Sequence, residues 1–183
     1  MARLWARSIG THLVMEKKNI ILIGMPTSGK TTIGTELSAI IGYGYIDSDS
    51  VIVARAGKNL RELIAELGNE GYLDFESKVN AEISAARCVI ATGGSAVYRE
   101  TGMNKLKENG VVEYLRMSYE EMCRRLGDIA ARGVVLKEGF TLLDMYNERL
   151  ALYEKYADVT VDIDGKTLAE CVKAVAEALG KCV

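Results

Sequence analysis

Residues 19–31 read Asn-Ile-Ile-Leu-Ile-Gly-Met-Pro-Thr-Ser-Gly-Lys-Thr. The aliphatic run Ile20–Ile23 predicts a short strand that is covered on both faces, as in the centre of a parallel sheet. The spacing Gly-x-x-x-x-Gly-Lys-Thr follows directly, and such a loop wraps closely enough for its amide groups to point at a polyphosphate. A buried strand, this loop and a following helix form the structural context of a P-loop. The stretch therefore predicts ATP or GTP binding.

The residues of this loop have separate expected roles. Lys30 is expected to bridge the β- and γ-phosphates, and the hydroxyl of Thr31 is expected to bind Mg²⁺. The other nucleotide-binding candidates come from the loop and the first helical turn, namely Gly24, Thr27, Ser28, Gly29 and Thr32.

Strand-like and helix-like segments alternate along the rest of the chain. Further strands are expected at Tyr45–Ile46, Cys88–Thr92, Val111–Leu115 and Val159–Asp162. Helices are expected at Lys30–Ile41, Val51–Arg55, Leu60–Leu67, Tyr72–Ala86, Gly102–Asn109, Ser118–Leu126, Thr141–Tyr156 and Thr167–Leu179. This alternation predicts an α/β fold with three layers, a P-loop fold in which a parallel sheet of about five strands carries helices on both faces.

The length of 183 residues suits one well-buried core and is too short for two. We expect a single P-loop domain over residues 19–183, preceded by a disordered extension over residues 1–18. Arg3 and Arg7 lie among apolar residues, which leaves a short amphipathic anchor or a targeting segment as the alternative for that extension. Residues 127–140 contain three glycines and no sustained periodicity, so we expect a mobile lid there.

The composition argues against several classes of protein. A net charge of −2 provides no basic surface for nucleic acid. The four cysteines are scattered and His12 is the only histidine, so neither a zinc site nor a disulfide framework is expected, and a cytoplasmic location fits. No stretch approaches the ~20 apolar residues of a membrane-spanning helix. We therefore expect a monomer whose partner is a small molecule.

Two carboxylates bear on whether the chain is a kinase or another kind of P-loop protein. Asp47 and Asp49 lie two residues apart at the end of the second expected strand, so both are expected to face the crevice at the carboxyl edge of the sheet. One can then hold Mg²⁺ while the other contacts, and can deprotonate, an attacking hydroxyl group. An N-cap for the helix at Val51–Arg55 is the alternative, and the two roles are compatible.

Further motifs occur in the order and spacing of one known family. They are the P-loop, Asp47-Ser48-Asp49, Ala56-Gly57-Lys58, residues 68–76, Gly93-Gly94, Arg124-Arg125, Arg132 and residues 149–153. On these residues the chain resembles the shikimate kinases, in the nucleoside-monophosphate-kinase-like group of P-loop proteins, from Asn19 to about Asp162. The resemblance implies transfer of the γ-phosphoryl group of ATP to a hydroxyl of a small carboxylated metabolite, with shikimate as the leading candidate.

The resemblance also implies roles in the nucleotide half of the site. Lys30 and Thr31 match the phosphate and magnesium residues, and Asp47 matches the carboxylate near Mg²⁺. Arg132 matches a lid arginine that reaches over ATP to stabilise the transferring phosphoryl group, and Arg125 matches an arginine that packs on adenine. ATP and Mg²⁺ are thus the implied cofactors, and Lys30 and Arg132 are candidate catalytic residues.

The acceptor half has its own matches. Asp49 matches the carboxylate that holds the substrate hydroxyls and is the third catalytic candidate. Gly93 and Gly94 match a glycine turn whose amides approach the substrate. Arg149 matches an arginine that binds the substrate carboxylate, with an ion pair on a helix face as the alternative.

Three positions depart from the family pattern. Leu73 stands where one of two carboxylate-binding arginines is expected, Ser95 replaces the third glycine of the turn, and Gly133 replaces the proline after the lid arginine. Loss of one guanidinium is expected to cost roughly a few kcal/mol of acceptor binding unless another cation takes its place. The candidate replacements are Arg61, Lys78 and Arg99.

These departures keep two rival functions open. Because Leu73 leaves Glu76 without its expected neighbour, Glu76 is either an exposed helix residue or a polar contact for a different substrate. If Glu76 contacts a different substrate, the chain is a kinase for another small hydroxy metabolite, which is the first rival. The second rival is a nucleotide-binding regulator without turnover, although such a protein would need neither Asp49 nor Arg132.

Overall fold

Strand β1 (Asn19–Ile23) occupies the centre of a five-stranded parallel sheet. The computed structural model describes residues 18–127, 136–137 and 139–180. The strands lie in the order β2-β3-β1-β4-β5, and every neighbouring pair is parallel. The others are β2 (Gly44–Asp47), β3 (Cys88–Ala91), β4 (Gly110–Arg116) and β5 (Val159–Asp162). The predicted α/β fold with a parallel sheet of about five strands is confirmed.

Helices cover both faces of this sheet. They are α1 (Lys30–Ile41), α2 (Ser48–Ala56), α3 (Leu60–Ala81), α4 (Glu100–Asn109), α5 (Tyr119–Leu126), α6 (Leu142–Tyr156) and α7 (Leu168–Leu179). Gly34 of α1 approaches the Leu22 side chain, whereas Tyr153 of α6 stacks on Tyr114 with ring centroids 5.0 Å apart. Tyr114 is in register with Ile23, the residue after Leu22, and successive strand residues point to opposite faces. α1 and α6 therefore lie on opposite faces.

Two helices differ most from the predicted bounds. α3 runs through the predicted break, with a kink at Gly68 (φ 68°), and it ends at Ala81 rather than Ala86. Hydrogen bonds to β1 account for the earlier end of α3. The side-chain amide of Asn19 donates to the Ala85 carbonyl (2.8 Å) and accepts from the Cys88 amide (3.0 Å). These bonds hold the segment before β3 in a non-helical path. α2 begins at Ser48, three residues earlier than predicted.

A second apolar cluster lies beside the main core and joins α2 to α3. Its buried members are Ile52, Leu63, Tyr72, Leu73 and Val79. The cluster fixes the two helices that follow β2, and it places Leu73 in an apolar setting.

Two predicted segments fall largely outside the described residues. The predicted extension covers residues 1–18, of which only residue 18 is described. The predicted lid covers residues 127–140, of which 128–135 and 138 are not described. Within the described part of the chain, no helix has the length and apolar character needed to cross a bilayer.

Glu113 is a buried carboxylate in the middle of β4. It is 0% exposed, and neither carboxylate oxygen has a hydrogen-bond donor among the described residues. Burial raises the pKa of Glu113 well above its ordinary value of 4.5. The folded protein therefore keeps a proton that the unfolded chain releases, so unfolding becomes more favourable as the pH rises above 4.5 toward the folded pKa.

Replacement of Glu113 by glutamine is expected to raise the free energy of unfolding at pH 8 by about 1–3 kcal/mol, because the amide does not ionise. The advantage should shrink toward zero as the pH approaches 4.5. Urea denaturation of both proteins at several pH values measures the difference. The exposed Glu36→Gln change is the control, and an equal gain at all pH values would contradict the explanation.

Candidate active site

The P-loop turns tightly between β1 and α1. Gly24 and Gly29 have φ values of 151° and 86°, and Thr27 adopts a left-handed φ of 65° although it is not a glycine. A Cβ on Gly24 would lie 2.8 Å from the Leu115 carbonyl oxygen, so only glycine fits. Such unusual backbone geometry is typical of binding loops, and here it leads into the N-terminus of α1.

Lys30 lies folded against this loop. Its Nζ donates to the carbonyl oxygens of Gly24 (2.7 Å) and Met25 (2.9 Å) and to Oγ of Ser28 (3.3 Å). Burial lowers the pKa of Lys30 to about 8, although the negative charge of Asp49 opposes the shift. The loop thus holds a desolvated cation in the place where phosphates are expected.

Asp47 joins the loop to the end of β2. Its Oδ1 accepts from the Ser50 amide (3.1 Å), which makes Asp47 the N-cap of α2, and its Oδ2 accepts from Oγ1 of Thr31 (3.1 Å). The alternative cap role is therefore present, and the same side chain also faces Thr31. Two hard oxygen ligands are close together at the mouth of the P-loop, a donor set that suits Mg²⁺.

Asp49 lines the cleft from the first turn of α2, because this helix begins at Ser48. It was predicted at the end of the second strand. Its Oδ1 is buried and has no donor among the described residues. A Cβ on Gly93 would lie 2.8 Å from this oxygen and closer still to Oε1 of Glu76, so a larger residue there would displace both carboxylates. Burial and the neighbouring Asp47 both raise the pKa of Asp49.

Glu76 is buried and accepts a hydrogen bond from within the protein, so it is not an exposed helix residue. It is 1% exposed, so the exposed alternative is wrong, and its Oε2 accepts from Oγ of Ser95 (2.7 Å). Burial raises the pKa of Glu76 to about 7. Ser95, one of the departures from the family pattern, thus provides a partner for the carboxylate that Leu73 leaves unpaired.

Arg149 lines the cleft from α6. It is 1% exposed, and a Cβ on Gly94 would lie 3.3 Å from its Nη1. The hydroxyl of Tyr153 donates to the Gly94 carbonyl (2.6 Å), and the Gly93 amide donates to Oγ of Ser48 (3.1 Å). These bonds fix the glycine turn between α2 and α6. Arg149 is therefore buried beside the glycine turn and is not a solvated residue of a helix surface.

The predicted arginines of the nucleotide half have different outcomes. Arg125 lines the cleft, and its Nε donates to Oε1 of Glu121 (2.6 Å). Glu121 also binds Arg124, while its amide donates to the N-cap Ser118 (3.3 Å). Arg132 lies outside the described residues, and its lid role stays a prediction.

The predicted site residues meet in one cleft of about 590 Å³. Described candidates that line it are Thr27, Gly29, Lys30, Thr31, Thr32, Asp47, Asp49, Gly93, Gly94, Arg125 and Arg149. Gly24 and Ser28 lie behind this lining, where they support the loop and Lys30.

Sequence reasoning did not assign site roles to five other residues of the lining. They are Pro26, Leu60, Tyr72, Thr92 and Ser95. The signal for Pro26 is its position inside the P-loop, and the signal for Thr92 and Ser95 is their position next to the glycine turn. Tyr72 is marked by its place in the family stretch at residues 68–76, next to Leu73. Nothing in the sequence marks Leu60, because its place depends on how α3 packs.

No predicted substitute cation enters this lining. Arg99 is the residue before α4, outside this lining, and its guanidinium binds Glu70 and Asp74 of α3 at 2.6 Å each. Arg61 and Lys78 are exposed. The described lining therefore contains Arg149 as the guanidinium on the acceptor side and Arg125 on the nucleotide side.

The fold and the cleft define a class of protein, the ATP-dependent small-molecule kinases with a P-loop. Comparison with known proteins gives the family. The family model for shikimate kinase matches residues 26–180. Shikimate kinase of Moorella thermoacetica is 33% identical over 88% of this chain and 94% of its own length. The chain belongs to the shikimate kinase family.

Solved structures agree with this assignment. Shikimate kinase from Acinetobacter baumannii in complex with shikimate matches with a TM-score of 0.78 and 28% identity, over 85% of this chain and 89% of the other. Shikimate kinase from Aquifex aeolicus matches with a TM-score of 0.75 and 27% identity, over 88% of this chain and 95% of the other.

Proposed function

We propose that the chain transfers the γ-phosphoryl group of ATP to a hydroxyl of shikimate and forms shikimate 3-phosphate. The observation that carries this proposal is the convergence of Lys30, Asp49 and Arg149 on one cleft. A phosphate-binding cation, a carboxylate for a hydroxyl and a guanidinium for a carboxylate are the groups that such a transfer needs.

The nucleotide half of the cleft would hold ATP through the P-loop amides and Lys30. Lys30 has to leave the Gly24 and Met25 carbonyls and turn to the phosphates when the nucleotide binds. Thr31 and Asp47 would hold Mg²⁺, since their oxygens already lie 3.1 Å apart. When bound, Mg²⁺ lowers the charge repulsion around the transferring phosphoryl group.

The acceptor half would bind shikimate by its two ends. Asp49 accepts a hydrogen bond from the reacting hydroxyl and takes its proton during transfer. Arg149 binds the carboxylate, and the turn at Gly93 and Gly94 lets the backbone approach the ring closely. Arg132 and the lid remain the predicted source of further positive charge.

An ATP-consumption assay with shikimate and a panel of other hydroxy acids tests this function directly. Turnover with shikimate well above the rest of the panel is the expected result. Preference for another acceptor would replace the substrate, and ATP binding without turnover on any acceptor would favour a regulator.

Leu73→Arg is expected to lower the KM for shikimate about tenfold, because an arginine adds charge-assisted hydrogen bonds to the carboxylate. Position 73 lies three residues before Glu76 on α3, so both side chains share one helix face. Oε1 of Glu76 has no donor among the described residues and can orient the new guanidinium. Initial rates against shikimate concentration measure the effect.

The same variant should lose about 2–4 kcal/mol of unfolding free energy, because it removes a buried leucine from the second apolar cluster. Leu73→Gln is the control, since it disrupts the cluster without adding charge. Ser95→Gly, combined with Leu73→Arg, frees the second oxygen of Glu76 and should strengthen the gain. Ordinary shikimate affinity in the wild type with no gain from arginine would show that Leu73 does not mark the acceptor pocket.

A further inference from the structure

Tyr98 contacts the guanidinium of Arg149 in two ways. Nε of Arg149 donates to the hydroxyl oxygen of Tyr98 (3.3 Å), and the guanidinium carbon lies 5.2 Å from the centroid of the Tyr98 ring. A planar guanidinium on an aromatic face keeps a defined orientation. Tyr98 thus contacts the buried cation by both its hydroxyl and its ring.

The hydroxyl of Tyr98 also contacts Glu148, the residue before Arg149 on α6. It donates to Oε2 of Glu148 (2.8 Å), and Oε1 of Glu148 pairs with Nζ of Lys137. Lys137 in turn lies 5.3 Å from the Tyr98 ring. The Tyr98 hydroxyl therefore has one cationic donor and one carboxylate acceptor, and both neighbours restrain it.

The backbone position of Tyr98 adds to this restraint. Tyr98 ends a 3-10 turn (Ala96–Tyr98) that follows the glycine turn directly, and its amide donates to the Ser95 carbonyl (3.0 Å). The carbonyl of Leu136, beside Lys137, accepts from Nδ2 of Asn69 (2.8 Å). One contact network thus runs from the segment at 136–137 through Glu148 and Tyr98 to Arg149.

We propose that Tyr98 is a positioning residue for the acceptor, which holds the Arg149 guanidinium in the orientation that binds the substrate carboxylate. The inference rests on the proposed function, in which Arg149 binds that carboxylate. Orientation matters here because Leu73 removes the second guanidinium of the family pattern, so one planar group has to align the acceptor. Glu148 and Lys137 secure the Tyr98 hydroxyl and connect it to the end of the predicted lid.

Tyr98→Phe keeps the ring and removes both hydroxyl contacts. The KM for shikimate should rise about tenfold, as expected for the loss of a hydrogen bond to a charged group, while kcat and the KM for ATP change less than about twofold. Tyr146→Phe is the matched control. It removes a half-buried hydroxyl from α6, the helix that carries Arg149, where Tyr146 donates to the Met117 carbonyl (2.9 Å), outside the cleft lining.

The methyl ester of shikimate separates positioning from a general structural role. Its neutral ester cannot form the charged pair with Arg149, so Tyr98→Phe should raise KM for the acid and leave KM for the ester unchanged. Equal increases for acid and ester, or no increase for either, would overturn the proposal. Lys137→Met tests the outer link by a second route, with an expected rise in KM of about threefold for the acid alone.

Failure of this inference can be told apart from failure of the proposed function. If the wild type does not phosphorylate shikimate, the proposed function is wrong, and the inference with it. If Arg149→Met raises KM for shikimate but Tyr98→Phe does not, Arg149 binds the carboxylate without help from Tyr98 and only the positioning role is wrong.

Discussion

Replacement of Lys30 by methionine is expected to lower the rate of phosphoryl transfer at least ~10³-fold, because the lysine acts on negative charge that develops during transfer. Methionine keeps an unbranched stem of similar length and removes the ammonium group. The folded protein should remain intact, since burial already disfavours the charge of Lys30 and the methionine fills the same space. Single-turnover rates and thermal melting of wild type and variant measure both parts.

The depressed pKa of Lys30 adds a pH test to this prediction. With a pKa of about 8 in the nucleotide-free protein, Lys30 is cationic below that pH and loses its charge above it. The KM for ATP of the wild type should therefore rise between pH 8 and 9.5, whereas the methionine variant should lack this component. Lys105→Met, at an exposed lysine paired with Glu108, is the control. Unchanged kcat in Lys30→Met would contradict the P-loop assignment.

The central part of the fold could be predicted because its signals are local. The run Ile20–Ile23 and the glycines at 24 and 29 define a strand, a turn and a helix start by short-range sterics and burial alone. The N-cap role of Asp47 and its place beside Thr31 could also be predicted, whereas its role toward Mg²⁺ stays a prediction. An N-cap and a site residue need the same thing, a side-chain oxygen at the end of a parallel strand.

The partners inside the acceptor half could not be predicted, because they depend on how separate elements pack. Glu76 on α3 meets Ser95 after β3 across 19 positions of sequence, and Tyr98 meets Arg149 across 51. The family resemblance marked Leu73 as the loss of an arginine from the cleft, whereas the structure places Leu73 in an apolar cluster beside the cleft. Tertiary contacts of this kind leave no periodic pattern in one sequence.

Asp49→Asn is expected to lower kcat about 10²–10⁴-fold, the usual contribution of a general base, and to leave the affinity for ATP within about threefold of wild type. Asparagine keeps the shape of the side chain but accepts no proton from the reacting hydroxyl. Isothermal titration with a non-hydrolysable ATP analogue gives the nucleotide affinity, and steady-state rates give kcat and the KM for shikimate. Asp74→Asn, at an exposed carboxylate paired with Arg99, is the control.

The stability of the same variant distinguishes a catalytic role from a structural one. Burial is the larger cause that raises the pKa of Asp49, and the negative charge of Asp47 raises it further. The folded protein therefore disfavours the ionised side chain. Removing that charge should leave the melting temperature in metal-free buffer equal to the wild-type value or above it, while turnover falls. A carboxylate kept despite this cost is typical of a group that acts on the substrate. If nucleotide affinity collapses while acceptor affinity holds, the roles of Asp47 and Asp49 are exchanged, and the carboxylate next to Gly93 belongs to the metal rather than to the hydroxyl.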